Sequence, residues 1–309
     1  MSTVGIDVGG TKILAVHLVD GEATAVHKVK TPRTGPNDVF DRVVDVWRKV
    51  DPEARATSLG VGVPGKVDPE SGTLEAPPNL AGFEGTIHVG SALAKRTGRV
   101  VLVDNDVNVA TLAEHRLGAG RGVDNLLGVF MGTGVGGGLV LDGRLRRGPR
   151  GLAGEFGHMV IRRKGRPCGC GLNGHVESYA GRASLERQAR KRHAAGEATM
   201  LVELAGEHRM RSSVWETAIN AGDEVAIDLV DEAVDAIVAG LVSATVLIDL
   251  ELIVLGGGFA HRLGEPFRRR IERAFLKATF ADSGVPVVRS KLGDNAGAIG
   301  AALLPLQRS

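Results

Sequence analysis

Two glycine-rich turns recur along the chain. The first, Asp7-Val8-Gly9-Gly10-Thr11-Lys12, puts a carboxylate at the end of an apolar run, two glycines in the turn, and a hydroxyl and an amine directly after it. Backbone N–H groups exposed by such a turn can cradle phosphate oxygens, and a nearby carboxylate can hold magnesium through water. Alone, the segment is equally a glycine hairpin turn. The second, Gly132-Thr133-Gly134-Val135-Gly136-Gly137-Gly138, repeats the device, and so many glycines would cost a hairpin conformational entropy without a ligand to justify them. Two facing phosphate loops predict a nucleotide between two lobes. Neither has the Walker spacing or the strand-to-helix GxGxxG pattern, which excludes P-loop and Rossmann nucleotide sites.

Residues 4–8, 13–19 and 23–30 read as an antiparallel meander, followed by helical spacing over 36–50, a buried strand at 59–63, a helix over 88–96 and a strand at 100–103. The pattern then restarts with a strand at 126–131, the glycine loop, a strand at 139–141 and the Asp142-Gly143 turn. Gly10-Thr11 precedes Asp20-Gly21 by the same nine positions that separate Gly132-Thr133 from Asp142-Gly143, a faint echo of duplication. After residue 180 helices dominate: apolar positions from Val225 to Val242 trace one face behind Asp223 and Glu224, and a strand over 252–255 ends in Gly256-Gly257-Gly258.

The 309 residues are 43% hydrophobic and 24% charged, enough for a sizeable core divided between two domains. A net charge of +2 with no long run of like charge argues against nucleic acid or an anionic membrane as partner. The charge-free stretch 236–248 lies between Asp235 and Asp249 and is too short to span a bilayer, which needs about 20 residues. The N-terminus shows no secretory pattern, so a cytoplasmic location and a small-molecule substrate are expected.

Asp104-Asn105-Asp106 closes the strand at 100–103, where ligands of open α/β sheets bind. Phosphoryl transfer to an alcohol needs a carboxylate to orient the hydroxyl and take its proton, and Asp106 is the candidate base. The same triplet also suits the N-cap of a helix over 107–117. The only cysteines, Cys168 and Cys170, are too close in sequence for an easy disulfide, and with His158 and His175 they make a plausible tetrahedral zinc set. A coincidental CxC loop is the alternative. Glu155 and Glu177 flank this set as acceptors for sugar hydroxyls or as plain surface acids.

From Asp7 to Leu292-Gly293-Asp294-Asn295-Ala296-Gly297, these motifs in this order resemble the ROK group of sugar kinases, within the actin-like ATPase superfamily, and above all its bacterial glucokinases. The resemblance implies a two-lobed α/β, ribonuclease H-like fold with an interdomain cleft. The expected lobes are residues 1–116 with a returning helix at 296–309, and residues 117–295 carrying the zinc loop. It further implies that Asp7, Gly9, Gly10, Thr11, Lys12, Gly132, Thr133 and Gly134 hold the phosphates of ATP, with Gly256, Gly257 and Gly258 near the adenosine. Asn79, Asn105, Asp106, Glu155, His158 and Glu177 would line the sugar, with Asp106 as base and His158 bonded to both zinc and sugar. The expected activity is Mg²⁺- and ATP-dependent phosphorylation of glucose by a homo-oligomer with a structural Zn²⁺. N-acetylhexosamine, N-acetylmannosamine or fructose as substrate, or a non-catalytic sugar sensor, are the rivals. His175 departs from the family, standing where a third cysteine is usual. The phosphate loop begins too early for the N-terminal helix-turn-helix of the family's repressors.

Overall fold

The computed structural model describes residues 2–75, 77, 80–280 and 284–307. Its elements, in chain order, are β1 (Ser2–Val8), β2 (Lys12–Val19), β3 (Glu22–Lys30), α1 (Pro36–Val50), β4 (Ser58–Val63), β5 (Lys66–Asp68), β6 (Thr73–Glu75), β7 (Thr86–Ile87), α2 (Val89–Thr97), β8 (Val100–Asn105) and α3 (Asp106–Leu117). Then follow β9 (Leu126–Met131), β10 (Val135–Leu141), β11 (Arg144–Arg146), α4 (Glu177–Ala180), α5 (Arg182–Ala194), α6 (Met200–Ala205), α7 (Ser212–Asn220), α8 (Glu224–Ile248), β12 (Leu252–Gly256), α9 (Gly258–Ala278), β13 (Val287–Arg289) and α10 (Ala296–Leu303).

The chain divides into two compact units. The first comprises Met1–Gly122, Gly138–Gly154 and Asp294–Ser309, and the second Val123–Gly137 and Glu155–Gly293. The sequence reading assigns residues 138–154 to the second lobe. They fall in the first unit here, where Gly138 presses so closely on Thr111 of α3 that a Cβ would collide with its hydroxyl.

One sheet has the order β3-β2-β1-β4-β8. Its first three strands are an antiparallel meander, and β4 and β8 join parallel, as crossovers through α1 and α2 require. Helix α1 begins with Pro36 in its first turn, carries Asp38 there and Arg48 and Lys49 in its last, and buries Val39, Phe40, Val43, Val46 and Trp47 against the sheet. The sheet's other face takes α10, a helix of small residues. Added Cβ atoms on Gly5 or Gly60 would collide with the carbonyls of Ala298 or Ala301, so helix backbone lies directly on strand backbone.

The other five-stranded sheet has the order β11-β10-β9-β12-β13, with β9, β12 and β13 parallel and β10 and β11 antiparallel. Asp20-Gly21 and Asp142-Gly143 turn the two meanders with left-handed φ at both residues, 50° and 86° in the first and 52° and 69° in the second. That is the two-residue turn whose twist suits a hairpin. The glycine loop at 132–138 is shorter than its sequence suggests, because its last four residues belong to β10. Over helix α8, 25 residues long, the expected apolar face is buried, and Asp223 caps it by accepting from Ala226 N at 2.8 Å. Among the described residues no helix is long and apolar enough to cross a membrane.

Candidate active site

In the first unit, β1 delivers Asp7 to the start of a hairpin turn in which Gly9 N donates to Lys12 O at 2.9 Å and Thr31 Oγ1 donates to Gly9 O at 2.6 Å. The segment is therefore a glycine hairpin that also presents a carboxylate. Lys12 Nζ pairs with Asp294 at 2.8 Å. Helix α10 packs against Asp7: a Cβ on Gly297 would lie 2.8 Å from the Asp7 carboxyl carbon. Burial, the charge of Asp106 and that of Asp294 push the Asp7 carboxyl up to about 7, against the opposing pull of Lys12.

The triplet after β8 sorts into three tasks. Asp104 is buried, accepting from Asn105 N, from Asn108 Nδ2 at 3.2 Å and from Arg147 Nε at 2.6 Å, so it is a structural acid. The cap of α3 is Asn105, not either acid: its Oδ1 accepts from Val107 N at 2.8 Å and Asn108 N at 3.1 Å, while its Nδ2 donates to Gly65 O. Asp106 opens α3, half-buried, with one oxygen accepting from Val107 N at 3.0 Å. Asn79 lies outside the described residues.

In the second unit, His158, Cys168, Cys170 and His175 converge, each offering one ligand atom and all within 4.8 Å of one another. Glycines shape the loop: Gly171 and Gly174 adopt φ of 89° and 79°, and a Cβ on Gly174 would collide with Arg162 O. His158 Nδ1 lies 3.4 Å from His175 Nδ1 and 4.0 Å from Cys168 Sγ, and Cys170 Sγ lies 3.3 Å from His175 Nδ1. A tetrahedral zinc with two nitrogen and two sulfur ligands spaces its ligand atoms roughly 3.3–3.8 Å apart, close to these values. Burial pushes the Cys168 thiol up to about 11 and lowers His175, and a metal bound here would take the sulfur as thiolate and the imidazole as neutral ligand. The residues fit the metal.

Around this cluster, Glu155 approaches His158 Nε2 at 4.0 Å, and burial raises its carboxyl above the ordinary value. Glu177 has a more defined task. Its Oε2 accepts from Val135 N at 2.9 Å, its Oε1 faces the Cys168 thiol at 3.6 Å, and any Cβ on Gly134 would collide with it. One carboxylate thus joins the glycine loop to the cysteine loop. At the end of β12, Gly256 and Gly257 are demanded by packing against Phe130 and Met131. Gly258 alone has open space before it.

Sequence reasoning missed Arg182 and Arg209, which both point at Thr133 in the glycine loop. The signal was present: Arg182 is the first residue of α5, where the helix dipole disfavours a cation.

Two mixed sheets of like order, each opened by a glycine turn and an Asp-Gly hairpin, are the two-lobed actin-like ATPase fold. The chain belongs to the ROK family, whose model matches residues 3–308. It is 31% identical to a glucokinase of Thermotoga maritima over all of this chain and 98% of that one. Among solved structures it is similar to the ROK hexokinase of Thermus thermophilus (33% identity, TM-score 0.85, all of both chains). It is also similar to a ROK family glucokinase of Streptomyces griseus in complex with glucose and AMPPNP (32% identity, TM-score 0.83, 99% of this chain and all of that one).

Proposed function

We propose that the protein is an ATP-dependent glucokinase. The observation that carries this reading is the end-to-end likeness to the glucokinase crystallised with glucose and AMPPNP, and Asp106 at the head of α3 is the residue the chemistry needs. As a sugar hydroxyl attacks the γ-phosphorus, Asp106 takes its proton and the bond from the γ-phosphorus to the β–γ bridging oxygen breaks, giving ADP and a sugar phosphate. The turns at 7–12 and 132–134 present backbone amides to the phosphates, with Gly256, Gly257 and Gly258 beside the nucleoside. Asn79, Asn105, Glu155, His158 and Glu177 line the sugar with Asp106. Asn105 and Glu177 also hold the neighbouring backbone in place. Bound Mg²⁺ would neutralise charge on the phosphates. Zinc on His158, Cys168, Cys170 and His175 would fix the imidazole of His158 toward the sugar. The two lobes extend over residues 1–116 with 296–309 and over 117–295, apart from 138–154, and the enzyme acts in the cytoplasm as a homo-oligomer.

A panel of glucose, N-acetylglucosamine and fructose with ATP and magnesium tests the substrate. Glucose is expected to give the highest kcat/KM, because polar groups of the site left unpaired by a wrong sugar penalise it. An N-acetylated sugar preferred by more than about tenfold would overturn glucose as the substrate. No ATP turnover with any sugar, beside retained hexose binding, would favour a sugar sensor.

A further inference from the structure

Thr133 Oγ1 lies 3.3 Å from Arg182 Nη2 and 3.5 Å from Arg209 Nη2. A hydroxyl has two lone pairs and one proton. With two guanidinium groups directed at its lone pairs, Thr133 is left to donate, and whatever meets its O–H must be an acceptor. The surrounding backbone fixes the arrangement: Arg182 N donates to Gly132 O at 3.3 Å, Ala183 N donates to Thr133 O at 2.9 Å, and Arg182 Nη1 is anchored on Met210 O at 2.6 Å.

Two like charges gathered on one hydroxyl need a reason. Burial and then the charge of Arg209 hold the Arg182 guanidinium below its ordinary value, and its place at the head of α5 adds a further electrostatic cost. Among the described residues neither arginine forms a salt bridge: Glu186, whose charge offsets part of the cost at Arg182, is itself engaged by Arg190 and Met210 N. The missing partner is an anion with several acceptor oxygens, which bidentate guanidinium groups suit.

We propose that Arg182 and Arg209, with the Thr133 hydroxyl as donor, seat the phosphate chain of the phosphoryl donor. This rests on the glycine loop at 132–138 being the donor site. The pair reads charge, so it discriminates a nucleoside triphosphate from a monophosphate and leaves sugar binding untouched.

Calorimetry with AMPPNP and with AMP, on wild type, Arg209→Gln, Arg182→Gln and Arg182→Lys, tests it. Arg209 is exposed, so its replacement leaves the fold intact; Arg182→Lys keeps the charge and loses the planar fork. Arg182→Gln is expected to weaken AMPPNP about 10- to 100-fold and AMP by less than about threefold, with Arg209→Gln and Arg182→Lys in between. KM for ATP should rise while KM for glucose stays put, and the salt dependence of AMPPNP binding should shrink. Equal losses for AMPPNP and AMP, or unchanged AMPPNP affinity in Arg209→Gln and Arg182→Lys, overturn the inference while the donor site stands. Wild type that binds no AMPPNP overturns the donor-site reading and the inference with it.

Discussion

Asp7 and Asp106 are both half-buried, and the charge of Asp106 helps to raise the Asp7 carboxyl. Asp106→Asn keeps the hydrogen bond an amide can make to a hydroxyl and removes the proton acceptor. Turnover should fall about 10²–10⁴-fold with hexose binding retained, as calorimetry and steady-state rates on one preparation will show. Near-normal turnover would remove Asp106 as the base. The raised Asp7 carboxyl predicts an effect on stability. It stays protonated in the folded protein to about pH 7, whereas in the unfolded chain it ionises near 3.8. Between these values the folded state binds the extra proton, so Asp7 erodes stability as pH rises through the window and costs the most above it. Asp7→Asn should therefore raise stability at pH 8 by about 1–3 kcal/mol, short of the roughly 4 kcal/mol that the full shift would carry, and leave it unchanged near pH 4. Denaturant midpoints at the two pH values decide this.

The elements show why some of the fold could be read in advance. Helix α1 has the expected bounds because Pro36 and the basic last turn punctuate it, and β9 does because its apolar run stops at glycine. Strands β5, β6 and β7, at three, three and two residues, are too short to show a period. In β10 glycines disguise a strand as a loop; Gly138 is there for the approach of Thr111 and not for a turn. The role of α10 follows the same logic: Gly60→Ala forces a methyl into the Ala301 carbonyl, where backbone cannot yield as a side chain would. A loss of about 3 kcal/mol, seen as a thermal midpoint lower by several degrees, is expected. That His158, Cys168, Cys170 and His175 come together was legible from residue type and spacing, since two thiols and two imidazoles among glycines can share one tetrahedral centre. Elemental analysis should find about one zinc per wild-type chain and clearly less in His175→Ala, and stripping the metal should raise KM for sugar. Zinc-free wild type with full activity would reduce the cysteines to loop filler.

At the scale of the molecule, the echo of Gly-Thr and Asp-Gly at equal spacing falls on two sheets with one strand order. What sequence could not supply were contacts between distant positions. Thr133 meets Arg182 and Arg209, 49 and 76 residues away, and Glu177 reaches back 42 residues to Val135 N. No periodicity encodes such pairs. The Glu177 carboxylate spends one oxygen on the glycine loop and turns the other to Cys168. Two ligands whose seats share one such group are thermodynamically linked: a metal on the cysteine loop that draws the carboxylate toward itself alters nucleotide affinity by some factor, and nucleotide alters metal affinity by that same factor.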